Sequence, residues 1–185
     1  MGTHSLIIMR VKSKDGTYQI WTILYQHWDG DFEGVGRTLV KFLTGMTFSD
    51  WNISEEGRKV ANGAGCLFAQ IIALFKKGPR GAYIIPPVDT DERYKYYVDV
   101  IDGNPWEGVK SQIELTLKGI DDDDDDDKDG NKMGTFKGSP EEADNYLNNL
   151  LGVPPPRNTI ILNDPNTDNI KVKINMSGID LSKFQ

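Results

Sequence analysis

Hydrophobic positions recur along this chain in two periods, and the switches between them mark out its elements. Residues 5–11 (SLIIMRV) are an apolar run rich in branched side chains, which predicts a buried first strand. Lys12-Ser13-Lys14-Asp15-Gly16 follows as a hairpin turn, with Asp-Gly where positive φ is required. Residues 18–27 predict a second strand. Tyr18, Ile20, Thr22, Leu24 and Gln26 are expected on one face, and Gln19, Trp21, Ile23, Tyr25 and His27 on the other. Both faces are largely apolar or aromatic, so this strand is expected to be central and covered on both sides. The period then lengthens. Val35, Leu39, Phe42 and Leu43 share a helical face, and Gly45 is a suitable stop.

Residues 47–58 are polar around Phe48, Trp51 and Ile53, and read as a short helix or a loop. The most apolar stretch predicts a buried helix from Gly65 or Cys66 to Lys76, packed through Leu67, Ile71, Leu74 and Phe75 and ended by Gly78-Pro79. Residues 81–85 form a third strand stopped by Pro86-Pro87. Residues 93–101 and 109–120 make a second hairpin turning at Asp102-Gly103-Asn104-Pro105. Ser139-Pro140-Glu141-Glu142 opens a helix that runs to about residue 151, with serine as its cap and acids in its first turn. Pro154-Pro155-Pro156 is a stiff linker, and residues 159–162 and 170–174 form a last hairpin. The order predicts an α+β fold: an antiparallel or mixed sheet with two to three helices in a single domain. Within it, residues 1–120 form the core and 121–132 an acidic flexible loop. Residues 133–185 are expected to complete the same domain.

Charge changes the picture at one place. The formal net charge of the 185 residues is −7, and residues 121–129 hold eight aspartates and one lysine, so the rest of the chain is formally neutral. No Lys/Arg stripe of the kind nucleic acids require is present, so no nucleic-acid partner is expected. No apolar run is long enough for a membrane helix, and no secretory leader pattern opens the chain. With a single cysteine, Cys66, an intracellular location fits best.

Candidate chemistry concentrates at residues 26–37, a glycine-rich connection between the second strand and the first helix. Gly34 and Gly36 would let backbone approach a ligand, Arg37 would offer a charged fork, and Trp28 or His27 a stacking face. Asp29, Asp31 and Glu33 oppose an anion there, and the same glycines would serve a plain strand-to-helix turn. A second glycine-rich helix start at Asn62–Cys66, with Gln70 one turn on, is expected to face the first across one pocket. Cys66 is a candidate nucleophile if His4 or His27 approaches it, with Asn62 or Gln70 as orienting groups; the alternative is a small buried hydrophobe. Thr3 before a short strand and an Asp-Gly hairpin suggests the entry of an N-terminal-nucleophile hydrolase, whose chemistry needs a free amine on the nucleophile itself. Asp125, Asp127 and Asp129 match half of a calcium loop, but Phe136 stands where its bidentate glutamate belongs. No cofactor is expected.

The start Met1-Gly2-Thr3-His4-Ser5, the Gln26-His27-Trp28-Asp29-Gly30 turn with Gly34-Val35-Gly36, the Asn62-Gly63-Ala64-Gly65-Cys66-Leu67-Phe68-Ala69-Gln70 segment and Tyr83-Ile84-Ile85-Pro86-Pro87 together resemble a family of small uncharacterised proteins of bacteriophages and large DNA viruses. The resemblance covers roughly residues 1–120, and His4 stands where that family more often has arginine. It implies viral or phage origin, hence host cytoplasm, and carries no activity with it. The leading expectation is a non-catalytic accessory protein that binds a small anionic or nucleotide-like ligand, or a host protein, through Trp28, Asp29, Gly34, Gly36, Arg37, Asn62 and Gln70. The alternative is a hydrolase with an N-terminal-nucleophile-like fold or a Cys66 nucleophile.

Overall fold

The computed structural model describes residues 3–48, 59–88, 90, 92–103, 110–119, 135–153, 159–162 and 172–175. The aspartate run with Asp125, Asp127 and Asp129, the anchors Trp51 and Ile53, and the triple-proline linker lie outside the described residues.

The first two strands, β1 (Ser5–Lys12) and β2 (Tyr18–Gln26), pair as the Asp-Gly hairpin requires. A π-helical turn (Phe32–Gly36) leads into helix α1 (Arg37–Leu43), three residues before the helical period becomes visible at Val35. Next come β3 (Thr47–Phe48), β4 (Val60–Ala61), α2 (Gly63–Phe75) and β5 (Ala82–Ile85). The long hairpin β6 (Tyr94–Ile101) and β7 (Gln112–Gly119) precedes β8 (Phe136–Gly138) and α3 (Pro140–Leu150). Ser139 and Glu142 close a reciprocal cap on α3: the Glu142 amide donates to Ser139 Oγ at 3.2 Å and the Ser139 amide to Glu142 Oε2 at 2.8 Å.

Six strands form one sheet in the order β5-β2-β1-β6-β7-β8. The sheet is mixed, because β1 and β6 run parallel while the other neighbours are antiparallel. With its helices this is an α+β fold. The chain divides into two compact units, Met1–Leu147 and Asn148–Gln185. In the second, β9 (Thr159–Leu162) and β10 (Val172–Asn175) pair antiparallel.

The helices share one face of the large sheet. Leu39, Val40 and Leu43 of α1, Leu67, Phe68 and Ile71 of α2, and Ala143 and Leu147 of α3 bury against Ile7, Met9, Leu24, Tyr96, Val98, Leu115 and Leu117. The opposite face holds a smaller cluster of Leu6, Ile8 and Ile23, with Tyr25, Ile85 and Tyr97 packed against it.

Two departures in β2 follow from one irregularity. The pairing shifts by one between Met9 and Arg10, so Met9 faces Thr22 and Arg10 faces Ile20, and Trp21 is the extra residue. Tyr18 and Ile20 therefore lie with Arg10 and Ile23 on the face away from the helices, while Trp21 turns toward α2 and meets Phe68 edge-on at 5.8 Å. The strict alternation expected for residues 18–27 holds only on either side of this bulge. Nor is β2 covered along its length. β5 is four residues long and pairs only with Ile23, Leu24, Tyr25 and Gln26, so among the described residues no strand covers the first half of β2.

Candidate ligand-binding site

At the end of β2 the His27 amide donates to the Gly81 carbonyl at 2.8 Å, and the chain then turns sharply. Asp29 takes the left-handed conformation (φ 51°), a strained choice for a non-glycine residue that aspartate tolerates better than most. Gly30 crosses directly over the start of β1. Its amide donates to the Thr3 carbonyl at 2.9 Å, and a Cβ there would stand 2.5 Å from the His4 carbonyl carbon. From below, the buried Tyr96 hydroxyl donates to the Gly30 carbonyl at 2.8 Å. Burial raises the pKa of this phenol, so it stays protonated as that bond requires.

The amides expected to hold an anion are used inside the turn. Gly34 N–H donates to Asp31 Oδ1 at 2.7 Å, Val35 N–H to the Asp29 carbonyl at 2.8 Å, and Gly36 N–H to the Asp31 carbonyl at 3.1 Å. A Cβ on Gly34 would lie 2.2 Å from the Asp29 carbonyl oxygen, and Gly36 is buried over the Tyr96 ring. The glycines thus admit the protein's own backbone and aromatic core. Arg37 begins α1 with its Nε buried and without a hydrogen-bond partner among the described residues.

The second predicted segment lies elsewhere. Asn62 sits at the start of α2, exposed and without a capping bond from its side chain. Cys66 is half-buried against the helix-side core. Gln70 Nε2 lies 3.3 Å from Cys66 Sγ and donates to the Val60 carbonyl at 3.0 Å, tying α2 to β4. Beside Cys66, Gly65 lies against the Trp21 ring, at 3.7 Å from an added Cβ. His27 is six residues further along the strand, on the order of 20 Å away. It also belongs with Tyr25, whose ring packs on the helix-free face. The sheet therefore separates Cys66 from both imidazoles.

What does converge is a set of rings on the helix-free face. His4 and His27 stack with centroids 4.8 Å apart and planes 20° apart. Trp28 meets His27 edge-on at 4.5 Å and is 53% exposed. Tyr25 lies edge-on to His4 at 5.5 Å, and its hydroxyl is 3.4 Å from His27 Nδ1, with the bond direction set by the imidazole tautomer. Tyr83 of β5 continues the row 6.5 Å from Tyr25. Glu92 Oε2 stands 4.0 Å from His4 Nδ1. The Tyr25 phenol is shifted upward by desolvation first, then by coulombic interaction with Glu92 and Tyr83, so it remains a neutral hydroxyl.

Of the residues singled out from sequence, His4, His27 and Trp28 meet, with Asp29 in the adjoining turn. Tyr25, Tyr83 and Glu92 join them unannounced. The period-two pattern does put Tyr25 and His27 on one face, but nothing in the sequence marks Glu92. Among the described residues no group of three or more His, Cys, Asp or Glu side chains is placed to hold a metal ion, and no helix is long and apolar enough to cross a membrane. No known protein-family model, curated protein or solved structure matches this chain.

Proposed function

We propose that the protein is a non-catalytic binding protein of viral or phage type, and that the His4–His27–Trp28 cluster receives a planar, nucleobase-bearing ligand. The observation that carries this is the stack of the chain's two histidines, flanked edge-on by a half-exposed tryptophan. Aromatic faces with exposed edges favour a flat heteroaromatic partner, because any base presents a π-face to stack. The Tyr25 hydroxyl and the imidazole nitrogens add the few polar groups that orient such a ring. The base is the part of a nucleotide-like ligand that this geometry favours. The turn amides that would grip its phosphate are taken by Asp29 and Asp31. The resemblance to phage and viral proteins at residues 1–5, 26–36, 62–70 and 83–87 supports the origin. A thiol hydrolase built on Cys66 would need an imidazole beside the thiol, and both imidazoles lie across the sheet from it.

The test is a titration of isotope-labelled protein with the common nucleosides and their monophosphates, read at the His4, His27 and Trp28 resonances. Stacking on one aromatic side chain contributes about 1–3 kcal/mol per base, so Trp28→Ala should weaken binding by roughly five- to 150-fold. Absence of perturbation at these rings by any base at millimolar concentration would end the proposal.

A further inference from the structure

Residues 59–88 contain Lys59, Lys76, Lys77 and Arg80 and no aspartate or glutamate, in a chain whose net charge is −7. β2, next to this segment in the sheet, carries no charged side chain either. Two of the four cations are spent locally. Lys59 Nζ donates to the Lys41 and Thr44 carbonyls, and Lys76 Nζ to the Ala82 and Pro79 carbonyls. Lys77 and Arg80 are exposed, with no carboxylate partner among the described residues.

Both cations precede an edge strand in the chain. Among the described residues β5 pairs only with β2, and Tyr83 and Ile84 are 43% and 63% exposed. The bond from the His27 amide to the Gly81 carbonyl sets the alternation, so Tyr83 and Ile85 bond to β2 while Ala82 and Ile84 direct their backbone groups outward. The Ala82 carbonyl already accepts from Lys76 at 2.6 Å, and Pro86 has no amide to offer. The edge is thus closed at both ends and open at Ile84. Beside it an apolar groove of about 250 Å³ is lined by Leu24, Ile72, Lys76, Ala82, Tyr83 and Ile84.

We infer that this edge receives an extended acidic segment of a partner protein, which pairs with the Ile84 backbone, sets one apolar side chain in the groove beside Ile72, and directs carboxylates at Lys77 and Arg80. Strand addition supplies the backbone bonds and the groove supplies selectivity for alternate side chains. Charge complementarity singles out the occupant. A second copy joined β5 to β5 about Ile84 would set Arg80 opposite Val88, which offers no carboxylate, and Lys77 opposite position 91, so it would answer only one of the two cations, whereas an acidic segment answers both.

A capped Glu-Val-Glu-Val-Glu-Val peptide, titrated into labelled full-length protein, should shift the amides of Ala82, Tyr83, Ile84 and Ile85. Methylating the peptide's edge-facing nitrogens should weaken binding about tenfold or more, as should Lys77→Glu with Arg80→Glu, two exposed positions whose reversal leaves the core intact. A Lys-Val peptide of the same length should not bind. Binding that is indifferent to both charge reversal and methylation overturns the inference, as do shifts confined to other residues. It is equally overturned if anionic phospholipid vesicles bind this face while the peptide does not, or if sedimentation shows a concentration-dependent dimer that protects the β5 amides.

Discussion

The Tyr96 hydroxyl in the middle of β6 donates a 2.8 Å hydrogen bond to the carbonyl of Gly30, 66 residues earlier in the chain. That bond joins the connection at residues 26–37 to the strand beside β1, and Phe32 reinforces it by packing edge-on against Tyr94 and Tyr96 at 5.2 and 6.1 Å. Tyr96→Phe keeps the ring and removes the donor, leaving a carbonyl without its partner. A loss of about 1–3 kcal/mol is expected, at about 2–4 °C of melting temperature for each kcal/mol. The resonances of His27 and Trp28 should move as well. An unchanged melting temperature in calorimetry would mean that the bond does not hold the turn.

Glycine substitutions separate crowding from conformational freedom. In Gly34→Ala the new methyl must displace the Asp29 carbonyl oxygen from 2.2 Å, and in Gly30→Ala it meets the backbone of His4. Neither neighbour is a flexible side-chain end, so each variant should lose several kcal/mol or fail to fold. Gly65→Ala is the contrast: it lies inside α2 with the Trp21 ring at an ordinary 3.7 Å, and should gain about 0.5–1 kcal/mol from helix propensity. Denaturant unfolding of the three variants checks the order.

The same details show what sequence makes legible. The strands, the Asp-Gly hairpin, α2 and the Ser139 cap are local, each announced by period, turn chemistry or capping residues. The fold class follows from their order. The pairing of β1 with β6 is not local, and no short-range pattern announces it. The ring cluster illustrates the limit best. Counting back from the Lys12–Tyr18 pair without a bulge sets His4 opposite Gln26; the extra residue Trp21 offsets every later pair by one and sets it opposite His27. Sequence does mark residues 26–37 as unusual, but it leaves open whether the glycines admit a ligand or the protein's own backbone; the close approaches at Gly30 and Gly34 are to backbone.

On the helix-free face Arg10 reaches across to Asp99, with Nε to Oδ1 at 2.6 Å and an Nη to Oδ2 at 2.8 Å, and its guanidinium lies between the Tyr18 and Tyr97 rings at 4.3 and 4.4 Å. Asp99 is fully buried, so removing its partner strands a carboxylate in the sheet. Arg10→Ala should cost about 3–5 kcal/mol. Arg10→Lys should recover only part of that, because an ammonium cannot make both planar bonds. If Arg10→Ala together with Asp99→Ala is no more stable than Arg10→Ala alone, the stranded charge is not the cause.

The α3 cap predicts an acid-side dependence. Backbone and side-chain bonds from Ser139 hold the Glu142 carboxyl below its ordinary pKa. A depressed carboxylate stabilises the fold above its unfolded value, and the contribution is lost as pH falls through the folded one, below the usual carboxylate range near 4. Helix protection in α3, measured by amide exchange between about pH 5 and 2.5 after correction for intrinsic rates, should fall in the wild type. Glu142→Gln should flatten that dependence while lowering protection at neutral pH.

Trp21 offers the most direct test of how the ring cluster is placed. Because it is the bulge residue, deleting it leaves each pairing intact: Arg10 with Ile20, Met9 with Thr22, and so on to Ser5 with Gln26. The deletion should therefore be tolerated. It removes the edge contact with Phe68 and a half-exposed ring, a loss of about 1 kcal/mol. The His4–His27 stack should survive and appear as cross-ring contacts in nuclear Overhauser spectra. Inserting a residue after Trp21 should do the reverse, either doubling the bulge or offsetting β2 by one. Pairing that slips past Met9 would point Ile23 and Tyr25 toward the helices and Leu24 away from them, exchanging the two faces of the sheet. Loss of the imidazole stack on deletion would show that the bulge sets strand twist as well as register, and that the cluster depends on both.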